Sequence, residues 1–205
     1  MPVERTRSKP PVLAADADAL HAAAVAGDAL ARNALATLCM ARVRRLVLFS
    51  VGPGPDLDDV AQTALARVFS RLESFRGEAR FLTWVDRVTA NVISDHYRQR
   101  RWAIFVTYDD ELPIYHQLAR ELPDAELERQ RLLERLATHF AALRPRQRLP
   151  LVLRLVQGYS VSEIAVLLGL SVEATKKRLL RGRRELLRRV SRDPVCRGAL
   201  REIGS

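Results

Sequence analysis

Two cysteines in 205 residues, Cys39 and Cys196, stand too far apart for a disulfide framework, and no CxxC or Cys/His cluster accompanies them. Neither a staple nor a zinc site is indicated, and both thiols read as structural. No apolar run approaches the roughly 20 residues that crossing a bilayer requires. The opening MPVERTRSKPPVLAADADAL carries cations but lacks the apolar core of a signal segment. A soluble, cytoplasmic chain without membrane insertion is expected. Strand-like alternation and internal repeats are missing, which leaves an all-α fold. There is no phosphate-cradling glycine loop, no paired metal ligands and no nucleophile motif, so neither an enzyme nor a bound cofactor or metal is expected. His96 has no second His, Cys or carboxylate cluster at ligand spacing and reads as a polar surface residue.

What is abundant is positive charge. Lys and Arg number 34 against 24 Asp and Glu, a formal charge of +10, which favours a polyanionic partner such as nucleic acid or an anionic membrane surface. A hydrophobic content of 48% suffices for packed cores.

Residues 1–16 are polar and contain Pro2, Pro10 and Pro11; with so little apolar surface they are expected to be disordered. Asp18 to Ser50 is rich in Ala and Leu and reads as one or two helices around Gly27, stopped by VGPGP at 51–55. Asp56 is positioned to cap a further helix whose face is Leu57, Ala61, Ala64, Leu65, Val68, Phe69 and Leu72. After the SFRGE loop, a helix from about Glu78 to Arg101 carries Phe81, Trp84, Val85, Val88 and Val92 on one stripe. Periodicity then fails. Between 108 and 130 seven acids (Asp109, Asp110, Glu111, Glu121, Asp124, Glu126, Glu128) face two arginines, and Pro113 and Pro123 interrupt, as in a linker. Helix resumes near Ala125; Pro145 is suited to open the next one, while Pro150 argues for a later start. The expected organisation is a tail over 1–16, a helical unit over 17–102, an acidic linker over 103–124, a second unit over 125–192 and a tail over 193–205.

The stretch GYSVSEIAVLLGLSVEATKKRLLRGRRELLRRV is the most informative. Ser160 and Glu163 have capping-box spacing, Gly169 ends a short helix, and Ser171 caps the next. That second helix is expected to bury Val172, Leu179, Leu186 and Val190. Its other faces hold eight cations against only Glu173 and Glu185. Short helix, Gly turn and cationic helix make a helix-turn-helix, with Val172, Glu173, Lys176 and Lys177 toward base edges, Arg181, Arg184 and Arg188 on phosphates, and Ser171 and Arg178 as further DNA-binding candidates.

Two segments carry a resemblance. DLDDVAQTALARVFSRLESFRGEARFLTWVDRVTANVISDHYRQRRW (56–102) resembles the second conserved region of extracytoplasmic-function (ECF) sigma factors of the sigma-seventy family. LRPRQRLPLVLRLVQGYSVSEIAVLLGLSVEATKKRLLRGRRELL (143–187) resembles their fourth region. The resemblance implies two small helical domains joined by a flexible linker, and a non-catalytic subunit that binds core RNA polymerase, through its largest-subunit clamp and its flap, and directs it to promoter DNA. It further implies clamp contacts at Asp58, Asp59, Gln62, Arg67 and Phe69, and capture of a flipped minus-ten base by Phe75, Arg76, Gly77 and Asn91. An anti-sigma factor is a partner by family habit alone. The interleaved cations and aromatics of HYRQRRW independently suit a melted strand: Tyr97, Arg98, Arg100 and Arg101 are candidates for holding it. The chain departs from the family pattern at EATKKRL, with Thr175 and Lys177 where valine and serine are usual, and at Gly182, where alanine is common.

Overall fold

The computed structural model describes residues 13–103 and 124–196. The helices are α1 (Leu13–Val25), α2 (Ala29–Val51), α3 (Asp56–Ser70), α4 (Phe81–Ala103), α5 (Asp124–Ala141), α6 (Pro145–Leu155), α7 (Val161–Leu168) and α8 (Val172–Val190), with a 3-10 turn over Leu72–Ser74. Among the described residues there is no strand, and no helix is long and apolar enough to cross a membrane. Most of the expected acidic linker lies outside the described residues. Helix α1 begins at Leu13, inside the segment expected to be a disordered tail.

In the first unit, α1 and α2 are separate helices. Gly27 takes the left-handed φ of 99° between them, and the Asp28 carboxylate accepts from the N–H of Leu30 (2.8 Å) and Ala31 (3.1 Å) to start α2. Leu35, Cys39, Val43, Leu46 and Val47 recur along α2 at helical spacing and are all fully buried. Against them pack Leu57, Val60, Ala61, Ala64 and Val68 of α3, and Phe81, Val85, Val88 and Val92 of α4. Each large apolar side chain so buried contributes about 1.5–3 kcal/mol. Asp56 does not cap α3. It is the first helical residue after Pro55, which offers no side-chain bond, and its carboxylate instead pairs with Arg100 of α4 at 2.7 Å.

In the second unit, α6 opens at Pro145 and keeps Pro150 inside. The ring is tolerated because it sits in the second turn, where the only bond forfeited would run to the carbonyl of Arg146, an exposed residue. Helix α7 has the full capping box: Glu163 N–H donates to Ser160 Oγ at 3.3 Å and Ser160 N–H to Glu163 Oε2 at 2.7 Å. Gly169 ends it at φ 63°. Along α8 the buried positions are Thr175, Gly182, Leu186 and Val190. Val172, expected inside, is 46% exposed, because the first turn projects beyond the helices it packs on. Thr175 is fully buried without penalty, its hydroxyl donating to the Ser171 carbonyl at 3.0 Å. A Cβ on Gly182 would lie 3.2 Å from the Gln147 carbonyl and 3.4 Å from Leu151 Cδ2, so the glycine sets a close crossing of α6 and α8.

The two units share one core. Phe49 of α2 meets Phe140 of α5 edge to face at 5.3 Å, and the C-terminus of α2 fits against α5 so tightly that a Cβ on Gly52 would stand 2.7 Å from that of Ala141. At the other end of the chain, the Asp193 carboxylate accepts from Arg135 Nε (2.6 Å), His139 Nε2 (2.8 Å) and the N–H groups of Val195 and Cys196, fastening the residues after α8 onto α5. His139, Asp193 and Cys196 thus gather within 4.8 Å, a cluster the sequence spacing concealed. Both Asp193 oxygens are occupied by these donors, so the cluster reads as a fastening.

Burial alone would raise the Asp193 carboxyl; the donors from Arg135, His139 and the two backbone amides outweigh it and hold it well below the usual carboxylate range. Its contribution to stability is therefore complete above its unfolded value of about 3.9 and is lost as pH falls toward the folded value. Asp193→Asn is expected to lower the melting temperature at pH 7 by roughly 2–4 °C, with the gap from wild type starting to close below about pH 4. Calorimetry from pH 7 to 3 checks this; a gap independent of pH would contradict it.

Candidate nucleic-acid interface

Helix α8 presents its cations outward. Lys176, Lys177, Arg181, Arg183, Arg184 and Arg188 are exposed, together with Ser171, Val172 and Glu173 at the N-terminal tip; Arg178 is half-buried. Ser171 Oγ accepts from Ala174 N–H at 3.1 Å, which fixes the start of the helix and leaves its first turn pointing to solvent. Lys177 lies 3.7 Å from Glu173, one turn away, and Glu185 engages Arg188 and Arg189 at 2.7 and 2.8 Å. Such exposed pairs are worth little and yield readily to a phosphate.

The loop before α4 also has an exposed apex on a rigid root. Phe75 packs against Phe81 (5.4 Å) and Trp84 (5.6 Å), whereas Arg76 and Gly77 stand in solvent. Gly77 adopts φ 73°, and a Cβ added there would meet nothing within 4 Å, so the apex is open for an incoming group. Asn91 is exposed on α4, roughly 15 Å along the axis from Phe81 at 1.5 Å per residue, and Arg98 follows two turns later at 72% exposure. Arg98 is bonded to Asp95 at 2.9 Å and Arg100 to Asp56 at 2.7 Å. Arg101 lies on α4, with its side chain outside the described residues.

Tyr97 is different. Its hydroxyl donates to the Ser50 carbonyl, the Arg148 guanidinium carbon sits 5.2 Å from its ring centroid, and Arg148 Nη1 donates to its oxygen at 2.5 Å. In this arrangement the ring packs at the contact between the two units, against Arg148, and borders the groove that opens there. His96, expected at the surface, is partly buried, and burial lowers its pKa.

The candidate polymerase-contact residues divide by helix face. Asp58, Asp59 and Gln62 form an exposed strip on α3, with Asp58 ion-paired to Arg44 of α2. Arg67 instead turns to Asp95 of α4 at 2.9 Å, and Phe69 packs against the core. Phe69 is turned to the core, while Arg67 keeps a solvent-exposed side chain beside its aspartate.

What sequence reading missed is the contact between the units. Asp86 of α4 is fully buried and accepts from Arg42 Nε and Nη2 (2.9 and 2.6 Å) and from Tyr159 O–H (2.7 Å). Burial pushes this carboxyl up, against the pull of Arg42 and Tyr159. Arg148, 7% exposed, donates to the carbonyls of Ala141 and Leu143 at the end of α5 and to Ser50 of the first unit at 2.7 Å. The LRPRQR and GYSVSEIA motifs contain Arg148 and Tyr159, but nothing local reveals partners 51, 73 and 98 residues away. As a result, an open groove of about 910 Å³ runs between the units, lined by Ser94, Tyr97 and Arg98 of α4, by Arg144, Arg146 and Gln147 around the start of α6, and by Arg178 and Arg181 of α8. Candidate residues for both DNA elements therefore border one cationic cleft.

Family models for sigma-70 region 2 and sigma-70 region 4 match residues 35–103 and 133–186. The chain is 31% identical over 183 residues to the RNA polymerase sigma factor CnrH of Cupriavidus metallidurans, covering 83% of this chain and 93% of that protein. It is 29% identical over 169 residues to the ECF RNA polymerase sigma factor SigM of Mycobacterium tuberculosis, covering 82% of each. Among solved structures, that of CnrH in complex with the cytosolic domain of CnrY superposes with a TM-score of 0.58 at 28% identity, over 87% of this chain and 99% of that one. An all-helical fold, a region 2 helix set with an exposed loop, and a region 4 helix-turn-helix with a cationic second helix agree with these matches: the chain belongs to the ECF group of sigma-70 family RNA polymerase sigma factors.

Proposed function

We propose that this chain binds core RNA polymerase in the bacterial cytoplasm, carries it to a promoter and helps melt the DNA, without catalysing a reaction itself. Region 4 serves the minus-thirty-five element: the tip of α8 (Ser171, Val172, Glu173, Lys176, Lys177) reads base edges, and Arg178, Arg181 and Arg184 hold phosphates. Region 2 serves the minus-ten element through Phe75, Arg76, Gly77 and Asn91, with Arg98, Arg100 and Arg101 along the displaced strand. Asp58, Asp59 and Gln62 meet the polymerase clamp. The observation that carries this reading is the exposed cationic face of α8, fixed at its base by the Ser171 cap and the Gly182 crossing.

Two promoter elements more than one helical turn of roughly 34 Å apart cannot both be served from one cleft, so the units separate when DNA is engaged. Each binds weakly alone and gains from being tethered to the other on polymerase. The solved relative is a complex of CnrH with the cytosolic domain of CnrY; for this chain, a protein partner that holds the units in a DNA-incompetent arrangement would act as an anti-sigma factor.

Run-off transcription with sigma-free bacterial core polymerase on the DNA upstream of the chain's own gene tests the proposal. Initiation should depend on the wild-type protein and fall roughly tenfold or more with Asn91→Ala and with Lys176→Ala/Lys177→Ala, the double variant also flattening the salt dependence of promoter binding. Inactive polymerase, with the protein alone binding the same DNA tightly, would replace this reading with a stand-alone regulator.

A further inference from the structure

The loop with the exposed Arg76–Gly77 apex is gripped at both ends by one helix that precedes the region 2 match. Asp18 and His21 lie one turn apart on α1, ahead of the matched residues 35–103. The Asp18 carboxylate accepts from the N–H of Phe81, the first residue of α4, at 2.7 Å, acting as an N-cap supplied from 63 residues away. His21 Nε2 donates to the carbonyl of Leu72 at 3.1 Å, just before the loop. Its ring stacks on Phe81 (4.8 Å, interplanar 29°) and meets Phe75 edge-on (4.9 Å, 84°). One imidazole thus touches the residues on either side of the apex.

We infer that Asp18 and His21 are positioning residues for promoter melting: the clasp they form fixes the ends of the 75–80 loop so that its apex is held ready for an unstacked base. This deepens the proposed function and rests on it. An open apex left on free ends would have to be ordered at the moment of capture, whereas a clasped one is ordered on folding, so the clasp favours the step in which a base leaves the duplex. Apart from Phe81, on which His21 stacks, the buried residues of α2, α3 and α4 pack on one another and on Ala17 and Ala24 of α1 without touching the clasp's hydrogen bonds. The clasp holds Leu72, beyond the C-terminal end of α3, whereas the exposed strip of Asp58, Asp59 and Gln62 lies in the first half of that helix, so polymerase binding is expected to survive its loss.

The test uses holoenzyme assembled from the full chain and core polymerase, on its promoter as a duplex, and reads unpaired thymines by permanganate together with run-off product. Each base of the minus-ten element is substituted in turn. His21→Ala and Asp18→Ala should slow opening roughly tenfold at unchanged affinity for core polymerase, and should blunt the penalty for replacing the captured base. Asp18→Asn, which keeps the acceptor, should recover most of the opening rate; His21→Gln, which keeps the donor but not the ring, should recover part. Variants that open at the wild-type rate with wild-type base discrimination would overturn the inference. So would slower opening with full base discrimination in proportion to lost thermal stability, because that is a folding defect alone. A wild-type protein that supports no initiation where another sigma factor does would instead sink the proposed function on which the clasp depends.

Discussion

A buried carboxylate needs a partner, and in this chain the partners come from both halves. Asp86 lies fully buried on α4 beneath Arg42 of α2 and Tyr159 of region 4. Removing one member of such a group leaves an uncompensated buried charge or donor and costs about 3–5 kcal/mol, even though the intact pair adds little over apolar packing. Arg148 repeats the arrangement at a second contact between the units, its guanidinium shared among the Ala141 and Leu143 carbonyls, the Ser50 carbonyl and Tyr97. Burial lowers its pKa, but arginine starts so high that it stays charged, so every one of these acceptors is needed. These contacts select one way for region 4 to sit on region 2, where apolar contact alone would tolerate several.

The same arrangement sorts the arginines of a strongly basic chain into two kinds. Arg42, Arg135 and Arg148 are committed to buried carboxylates or carbonyls within the fold, and their charge is largely spent there. Arg76, Arg181 and Arg184 stand exposed, and Arg98 has only an exposed aspartate one turn away. Only the second kind is free to release counterions on meeting phosphate, the step that drives nucleic-acid binding. Net charge alone, +10 over the chain, does not distinguish them.

Most of the local architecture was legible in the sequence because local signals agreed. Ser160 with Glu163, Gly169 and Ser171 delimit α7 and α8 through bonds that span three or four residues, and the apolar stripes of α3 and α4 obey the helical period. The errors share a cause. Val172 follows the buried register of α8 yet is exposed, because burial depends on what stands opposite; Asp56 has capping chemistry yet bonds Arg100 instead. Tyr97 is held by Ser50 and Arg148, 47 and 51 residues away, and the clasp from Asp18 and His21 is silent in a sequence because its two ends lie 63 and 51 residues from their partners. Candidate sites on an exposed helix face could be read from one helix; those at a meeting of helices could not.

Region 4 packs against region 2 in the free chain, and serving two separated promoter elements requires that it leave. Interdomain distance measures this directly. Leu30→Cys and Arg183→Cys place labels at exposed positions on the two units, while the native Cys39 and Cys196 are buried, with burial pushing their thiols up, Cys39 to about 11, which keeps them unreactive. Spin-label or fluorescence distances on the free protein should give one narrow, short distribution, and a longer one in the complex with core polymerase and promoter DNA. A broad, long distribution in the free protein, or no change on promoter binding, would contradict this picture of release.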